Sequence, residues 1–164
     1  MNVNKENINF ETEYLTDEQK KQTLNDGLAR LKAAGFKMTK KRQEILEIFI
    51  EEGKYLRAKE IHDRLTNKYP SMSYNTTYRN IYDFIKVGIL ESTEYNQEQL
   101  FKINCMDQEH DSNHHHHHFI CRLCGLSIPL KACPMDHIDT DLSDVLIESH
   151  RFEVFGLCAT CKLK

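Results

Sequence analysis

The 164-residue chain lacks long apolar runs: no stretch approaches the roughly 18 consecutive apolar residues that mark a membrane-spanning helix. Its first residues are polar, unlike those of a secretory signal peptide. We therefore expect a cytoplasmic protein without a membrane partner, in which thiols stay reduced and available for metal. Hydrophobic residues make up 40% of the chain and charged residues 29%, as in globular proteins that bury modest cores.

An overall excess of positive charge is also lacking, since the net charge is -3, which argues against a general polyanion binder. Acidic residues are in turn absent from Gly27 to Gln43, a stretch that carries six basic side chains. These are Arg30, Lys32, Lys37, Lys40, Lys41 and Arg42. A local basic patch of this kind suits an anionic partner, although a run of charge is most often only a solvated face.

Metal-binding side chains are concentrated between His114 and Cys124, where five consecutive histidines precede a C-x-x-C pair. A second C-x-x-C pair, Cys158 and Cys161, follows near the end of the sequence. Two such pairs can supply four sulfurs to one tetrahedral zinc and leave no open position for chemistry. The spacing favours a structural zinc site over free thiols or disulfides.

The histidine run is internal, whereas purification tags stand at chain termini, so we interpret it as native. The residues around it predict two short strands joined by the turn from Cys121 to Gly125. Strand side chains alternate between faces, which places His114, His116 and His118 on one side. His115 and His117 then face the other way, and one strand can serve two metal sites.

The first two thirds of the chain predict a winged-helix domain over residues 16–105, preceded by an extension over residues 1–15. Four helices are indicated by caps and apolar spacing, beginning after Thr16, Thr39, about Arg57 and Ser73. Two strands, at 89–95 and 99–103, form a hairpin directly after the fourth helix. Helices followed by such a hairpin are typical of a winged helix.

The start of the fourth helix presents short polar groups, an aromatic ring and a guanidinium, which suit contact with phosphates and base edges. The residues concerned are Asn75, Thr76, Tyr78 and Arg79. An ordinary capped surface helix is the alternative interpretation.

The last third predicts a linker over residues 106–113 and a metal-binding dimerisation domain over residues 114–164. A helix is expected from Pro134 to Asp136 onward, with Ile138, Leu142, Val145 and Leu146 on its apolar face, followed by a strand over 151–155. This half is too small to bury those apolar groups alone, so we expect a homodimer. The predicted fold class is α+β.

Several motifs in their order along the chain resemble the ferric-uptake-regulator family, and most closely its zinc-sensing branch. They are Gly35 to Arg42, Asn75 to Asn80, Gly88 to Glu91, the histidine run, both C-x-x-C pairs and His150. The resemblance covers about Leu24 to Cys161. It implies a dimeric winged-helix protein that binds a palindromic operator and represses zinc-acquisition genes when Zn²⁺ is bound.

The resemblance also implies ligand sets for two or three zinc ions per chain. The structural ion corresponds to Cys121, Cys124, Cys158 and Cys161. The regulatory ion corresponds to Glu91, Cys105, His116 and His118. A third, less selective site of nitrogen and oxygen ligands corresponds to His115, His117, Asp136 and His150. The DNA-contacting residues would be Lys37, Lys40, Arg42, Asn75, Thr76, Tyr78 and Arg79.

The chain departs from the family pattern at two places. The segment between Cys105 and the histidines is a few residues longer than usual and contains His110, so either residue could complete the regulatory site. The stretch Tyr55 to Ala58, just before the third helix, lacks the histidine that the iron and peroxide sensors carry there, which argues against those branches. Cys133 matches no ligand position and is interpreted as a buried structural thiol.

Two other functions remain open. An iron- or peroxide-sensing member of the same family is the main alternative. A zinc buffering or delivery protein would explain the histidines, but neither the basic patch nor the fourth helix. We expect no enzyme, because the cysteine site is closed and no acid or base accompanies an open metal site.

Overall fold

The computed structural model describes residues 15–104, 117–130, 133, 135, 142 and 144–164. Its helices are α1 (Asp17–Ala33), α2 (Lys40–Glu52), α3 (Ala58–Thr66) and α4 (Tyr74–Lys86). Its strands are β1 (Leu90–Tyr95), β2 (Glu98–Ile103), β3 (His117–Cys121), β4 (Ser127–Leu130) and β5 (Glu153–Gly156), and a short 3-10 helix covers Cys161–Leu163. In this part of the chain, no helix has the length and apolar character needed to cross a membrane.

The four predicted helices are confirmed, and their caps explain their positions. Thr16 and Gln19 form a reciprocal capping box at α1, and the side chains of Thr39 and Ser73 accept hydrogen bonds at the starts of α2 and α4. Gly53 ends α2 in the left-handed conformation, with φ of 58°. Local sequence signals therefore determine where α1, α2 and α4 begin and where α2 ends.

The core of the helical half is formed by the buried faces of these helices. It includes Ile45, Leu46 and Phe49 of α2 together with Ile81 and Phe84 of α4, each 0% exposed. β1 and β2 form the predicted antiparallel hairpin, and Asn96 and Gln97 make its turn with φ of 51° and 64°. Leu56 adds a bridge to Phe101 of β2, so the hairpin, or wing, is fixed to the helices.

The remaining strands form a second sheet in the order β4-β3-β5. β4 is antiparallel to β3, with His117 paired to Leu130, and β5 is parallel to β3, with Cys121 paired to Gly156. The start of β3 therefore lies beside the end of β4 and the start of β5, and the end of β3 lies beside the start of β4 and the end of β5. This arrangement brings metal-binding residues that are distant in sequence together at both ends of one strand.

The two sheets contact each other through apolar and polar groups. Ile120 of β3 is buried against Tyr55 and Leu100, and the Tyr95 and Phe155 rings lie 4.8 Å apart. The Tyr55 amide donates a hydrogen bond of 3.0 Å to the Gly125 carbonyl. Gly125 has φ of +77°, and a Cβ there would lie 2.0 Å from the Tyr55 carbonyl oxygen, so only glycine fits this contact.

The helix predicted after Pro134 is wrong for the three of its apolar residues that are described. Leu142, Val145 and Leu146 lie in no helix and are 41%, 57% and 86% exposed. A helix of this kind is stabilised mainly by packing its apolar face, and nothing in the described part of this chain covers these side chains. Ile138 and Asp136, like the predicted linker and residues 1–14, lie outside the described residues.

Candidate metal centres and nucleic-acid interface

Four thiols meet at the end of β3. Cys121 ends β3, and Cys158 and Cys161 follow β5. Because the two strands are parallel, their carboxyl ends lie at the same edge of the sheet. The turn after Cys121, closed by the Gly125 amide on the Cys121 carbonyl at 2.9 Å, returns Cys124 to the same place. The structure thus brings together all four cysteines of the predicted structural site.

The spacing of these thiols fits zinc. The four Sγ atoms all lie within 4.8 Å of one another, and the Cys124 and Cys158 Sγ atoms are 3.8 Å apart. Zinc–sulfur bonds of about 2.3 Å at tetrahedral angles place two sulfurs about 3.8 Å apart. Cys121, Cys158 and Cys161 are buried, so the arrangement is closed and can do structural work only.

The surroundings of the cluster shift the pKa values of two of its thiols in opposite directions. Burial acts to raise the pKa of the Cys121 thiol, but hydrogen bonds from the backbone amides of Cys124, Cys158 and Leu123 outweigh burial and lower it to about 6. The pKa of Cys161 is raised to about 12 by its hydrogen bond to Cys158 and then by burial. The Cys121 thiol therefore ionises readily, whereas the Cys161 thiol keeps its proton until a divalent cation displaces it.

The start of β3 carries a second group of donors. His117 Nε2 lies 3.4 Å from Cys133 Sγ and 3.2 Å from His150 Nε2, and Cys133 Sγ lies 3.2 Å from His150 Nε2. Two members of the predicted third site, His117 and His150, are thus together. Its other members, His115 and Asp136, lie outside the described residues.

Cys133 is the residue that sequence reasoning missed. Its interpretation as a buried structural thiol is wrong, because it is only half-buried and its sulfur faces two imidazole nitrogens rather than a purely apolar surrounding. The available signal was its place between β4 and the expected ligand Asp136. The third site was predicted with nitrogen and oxygen ligands only, so a sulfur ligand was not considered there.

His118 faces the opposite side of β3, toward the wing. It shares that face with Ile120, which packs on Tyr55, and with its parallel partner Glu153, which accepts a hydrogen bond from Thr93 of β1. His118 is 6% exposed. Of the other predicted regulatory ligands, Glu91 is described, whereas Cys105 and His116, like the alternative His110, are outside the described residues.

Glu91 accepts a hydrogen bond of 2.6 Å from the Tyr55 phenol. Burial and then the charge of Glu91 raise the pKa of Tyr55, so the phenol stays protonated and acts as a donor. Tyr55 therefore holds the carboxylate at the base of the wing, on the side that faces β3. Tyr55 thus positions Glu91 and supplies no imidazole nitrogen to a metal.

The predicted DNA-contacting residues of α4 lie at its amino-terminal end. Asn75 and Arg79 are exposed, and Thr76 is half-buried. Among the described residues, Arg79 has no hydrogen-bonding or ionic partner, which leaves its guanidinium available. The Tyr78 hydroxyl instead donates to Gln99 of β2 at 3.0 Å, which links α4 to the wing.

The basic patch divides into two kinds of side chain. Lys37 and Lys40 are exposed. Arg42 is instead held inside the helical half, because it donates to Asp83 of α4 at 2.5 Å and to the Lys37 carbonyl at 2.8 Å. Its guanidinium also stacks 5.0 Å from the centre of the Phe36 ring. A role for Arg42 in DNA contact stays a prediction, but the structure gives it a function in packing.

Comparisons with known proteins agree with this arrangement. The pattern of the Ferric uptake regulator family matches residues 33–155. The chain is 44% identical over 140 residues to the Ferric uptake regulation protein of Staphylococcus epidermidis, covering 85% of this chain and 96% of the relative. It is also 44% identical over 138 residues to the protein of that name in Staphylococcus aureus, covering 84% of this chain and 97% of the relative.

Solved structures show the same fold. The Helicobacter pylori ferric uptake regulator matches with a TM-score of 0.65 at 21% identity, covering 91% of this chain and 95% of that chain. The Vibrio cholerae ferric uptake regulator matches with a TM-score of 0.59 at 25% identity, covering 81% and 99%. A zinc uptake regulator complexed with zinc and DNA matches with a TM-score of 0.62 at 19% identity, covering 88% and 95%.

The fold is therefore of the predicted α+β class, with four helices and two small sheets. The family match spans more than half of the chain, and the Staphylococcus relatives are matched over nearly their whole length. This chain belongs to the ferric uptake regulator family of metal-responsive transcription regulators.

Proposed function

We propose that this protein is a zinc-responsive repressor that binds a palindromic operator as a metal-loaded homodimer in the cytoplasm and controls zinc-uptake genes. The observation that carries the proposal is the placement of Glu91 and His118. Glu91 lies at the base of the wing, held by Tyr55, and His118 lies on the face of β3 that packs toward the same tyrosine. One potential donor from each half of the chain thus lies on a side that packs around Tyr55, which supports a shared ion.

Metal bound at Glu91 and His118 would tie the wing to the second sheet. Hydrogen bonds already join β1 of the wing to the β5 region: Arg151 donates to the Ser92 carbonyl at 2.6 Å, and Thr93 donates to Glu153. In a two-fold dimer, the angle between the halves sets the separation of the two α4 helices. That separation must match half-sites spaced by whole turns of DNA.

The choice of zinc follows from the donor types. Cys105, His116 and His118 would add one sulfur and two nitrogens to the Glu91 carboxylate, a set that suits tetrahedral zinc. Tyr55 is a protonated phenol rather than an imidazole, which removes one nitrogen donor that an iron or peroxide sensor would supply. The four-thiol cluster supplies the structural ion.

Iron sensing is the second candidate, and a specific observation favours it. The relatives that are 44% identical over most of this chain bear the name Ferric uptake regulation protein. Under this alternative, ferrous ion rather than zinc would promote binding to the operator. The arrangement of α4, the wing and the dimer would be unchanged.

Selection of binding sites from random duplex DNA tests the proposal. Separate selections at equal free zinc, ferrous ion and manganese should enrich one palindromic sequence with zinc. Enrichment with ferrous ion alone would replace the zinc assignment by the iron one. If no sequence is enriched with any of the three metals, zinc storage or delivery would be favoured over regulation.

Arg79→Ala should weaken binding to the selected operator by about 1–3 kcal/mol if the guanidinium reads a guanine in the major groove. The exposed Lys40 provides the matched control. Lys40→Ala should weaken binding to all sequences alike and reduce the salt slope by about one, as expected for a phosphate contact. Fluorescence anisotropy with operator and scrambled duplexes at several salt concentrations measures both effects. Unchanged operator affinity in Arg79→Ala would remove α4 from base recognition.

A further inference from the structure

A thiol and two imidazoles meet at the amino-terminal end of β3, at the opposite end of the sheet from the four-thiol cluster. We infer that Cys133, together with His117 and His150, binds zinc through its thiolate, so that this second site has an N2S ligand set. The resemblance to the family implied only nitrogen and oxygen ligands here. The inference deepens the proposed function and rests on it only for the biological role of the ion.

The sheet topology explains why these three residues meet. β4 is antiparallel to β3 and β5 is parallel to it, so the end of β4 and the start of β5 both lie beside the first residues of β3. Cys133 follows β4, and His150 precedes β5. Three separate segments of the chain therefore deliver one ligand each to a single point.

The distances fit tetrahedral zinc. Zinc–nitrogen bonds of about 2.0–2.1 Å and a zinc–sulfur bond of about 2.3 Å place two nitrogens about 3.3 Å apart and a nitrogen and a sulfur about 3.5 Å apart. The two Nε2 atoms are 3.2 Å apart, and Cys133 Sγ lies 3.4 Å and 3.2 Å from those of His117 and His150. Three ligands can thus share one ion with little movement.

A hydrogen bond outside the triangle orients His117 as a ligand. Its Nδ1 lies 3.2 Å from the Phe152 carbonyl oxygen. A carbonyl only accepts, so Nδ1 carries the hydrogen and Nε2 presents its lone pair to Cys133 and His150. Metal-binding histidines are commonly fixed by such a carbonyl on the far nitrogen. His117 is 4% exposed, which further restricts its ring.

The thiolate changes which metal the site prefers. Imidazole with carboxylate suits several divalent ions, whereas a sulfur ligand shifts preference toward zinc over manganese and iron. On binding, the ion would replace the Cys133 thiol proton, which passes to solvent. A second sulfur-containing site would give this regulator selectivity for zinc independently of the Glu91 site.

Cobalt spectroscopy on the full-length protein tests this ligand assignment. The variant Cys105→Ser, with the four-thiol cluster loaded with zinc, has Cys133 as its only thiol outside that cluster. Adding one equivalent of Co²⁺ should produce a near-ultraviolet thiolate-to-cobalt charge-transfer band. Adding Cys133→Ser should abolish the band. Zinc affinity, measured by competition with a chelator, should fall at least about tenfold, because removing even a group that only hydrogen-bonds to a metal ligand typically costs that much.

His150→Gln in the same Cys105→Ser background controls for a thiol that binds cobalt alone. It keeps Cys133 yet should also lose the band at the same cobalt concentration, while retaining structural zinc. A band that persists without Cys133, or that persists in full without His150, overturns the inference. Zinc-dependent operator binding, measured separately, then shows whether the proposed function fails or holds independently.

Discussion

Cys121→Ser is expected to unfold the metal-binding half and abolish the dimer. The Cys121 side chain is 0% exposed, and the Cys158 amide donates to its sulfur at 3.4 Å. Structural zinc in small domains contributes roughly 10–16 kcal/mol of apparent binding free energy, which is also folding free energy. Loss of one of four ligands removes much of that stabilisation from a sheet of only three short strands.

Metal analysis and sedimentation measure the effect of Cys121→Ser directly. The variant should lose the tightly bound zinc and sediment as a monomer or aggregate. Cys133→Ser is the matched control, because it removes a thiol outside the cluster and should keep both the structural zinc and the dimer. A zinc-free Cys121→Ser protein that remains a folded dimer would show that the cluster is not a structural metal site.

His118→Ala is expected to keep the structural zinc and the dimer but to lose zinc-stimulated operator binding. His118 lies on the face of β3 that packs toward Tyr55 and the wing, so its loss removes the imidazole that we propose shares an ion with Glu91. Without that coupling, the fraction of dimers with correctly spaced α4 helices falls. Apparent affinity falls in proportion to that fraction, so a drop of about tenfold or more is expected.

His115→Ala is the matched control for His118→Ala, since the resemblance to the family assigns His115 to the third site and not to the regulatory site. It should keep most of the response to zinc. Both variants are compared with wild type for zinc bound per chain and operator affinity at the same free zinc. A His118→Ala protein that responds like wild type would move the regulatory site to His110 or to the group around His117 and His150.

The elements that sequence reasoning predicted correctly are those with local signals. Thr16, Thr39 and Ser73 cap helices through bonds to residues three positions away, and Gly53 ends a helix through its own backbone conformation. The four-thiol cluster was predictable because the C-x-x-C spacing itself indicates a tight turn. The helix caps, the end of α2 and the turn of each C-x-x-C pair all depend on information within a few residues.

The features that were missed depend on contacts between distant segments. Arg42 belongs to a basic run, but Asp83 is needed to see that its guanidinium is held inside the helical half. Cys133 becomes a candidate ligand only when the strand order places it beside His117. The helix expected after Pro134 had a helical apolar spacing, but Val145 and Leu146 find no surface of the described chain to pack on.

Operator affinity measured as a function of buffered free metal distinguishes a zinc-responsive from an iron-responsive repressor. Wild-type protein with the four-thiol cluster loaded with zinc is titrated onto the selected operator at increasing free zinc, and in parallel at increasing free ferrous ion under anaerobic conditions. A zinc-responsive repressor should gain affinity steeply with zinc and much less with ferrous ion. Equal affinity with and without added zinc, or a gain with ferrous ion alone, would contradict the zinc assignment.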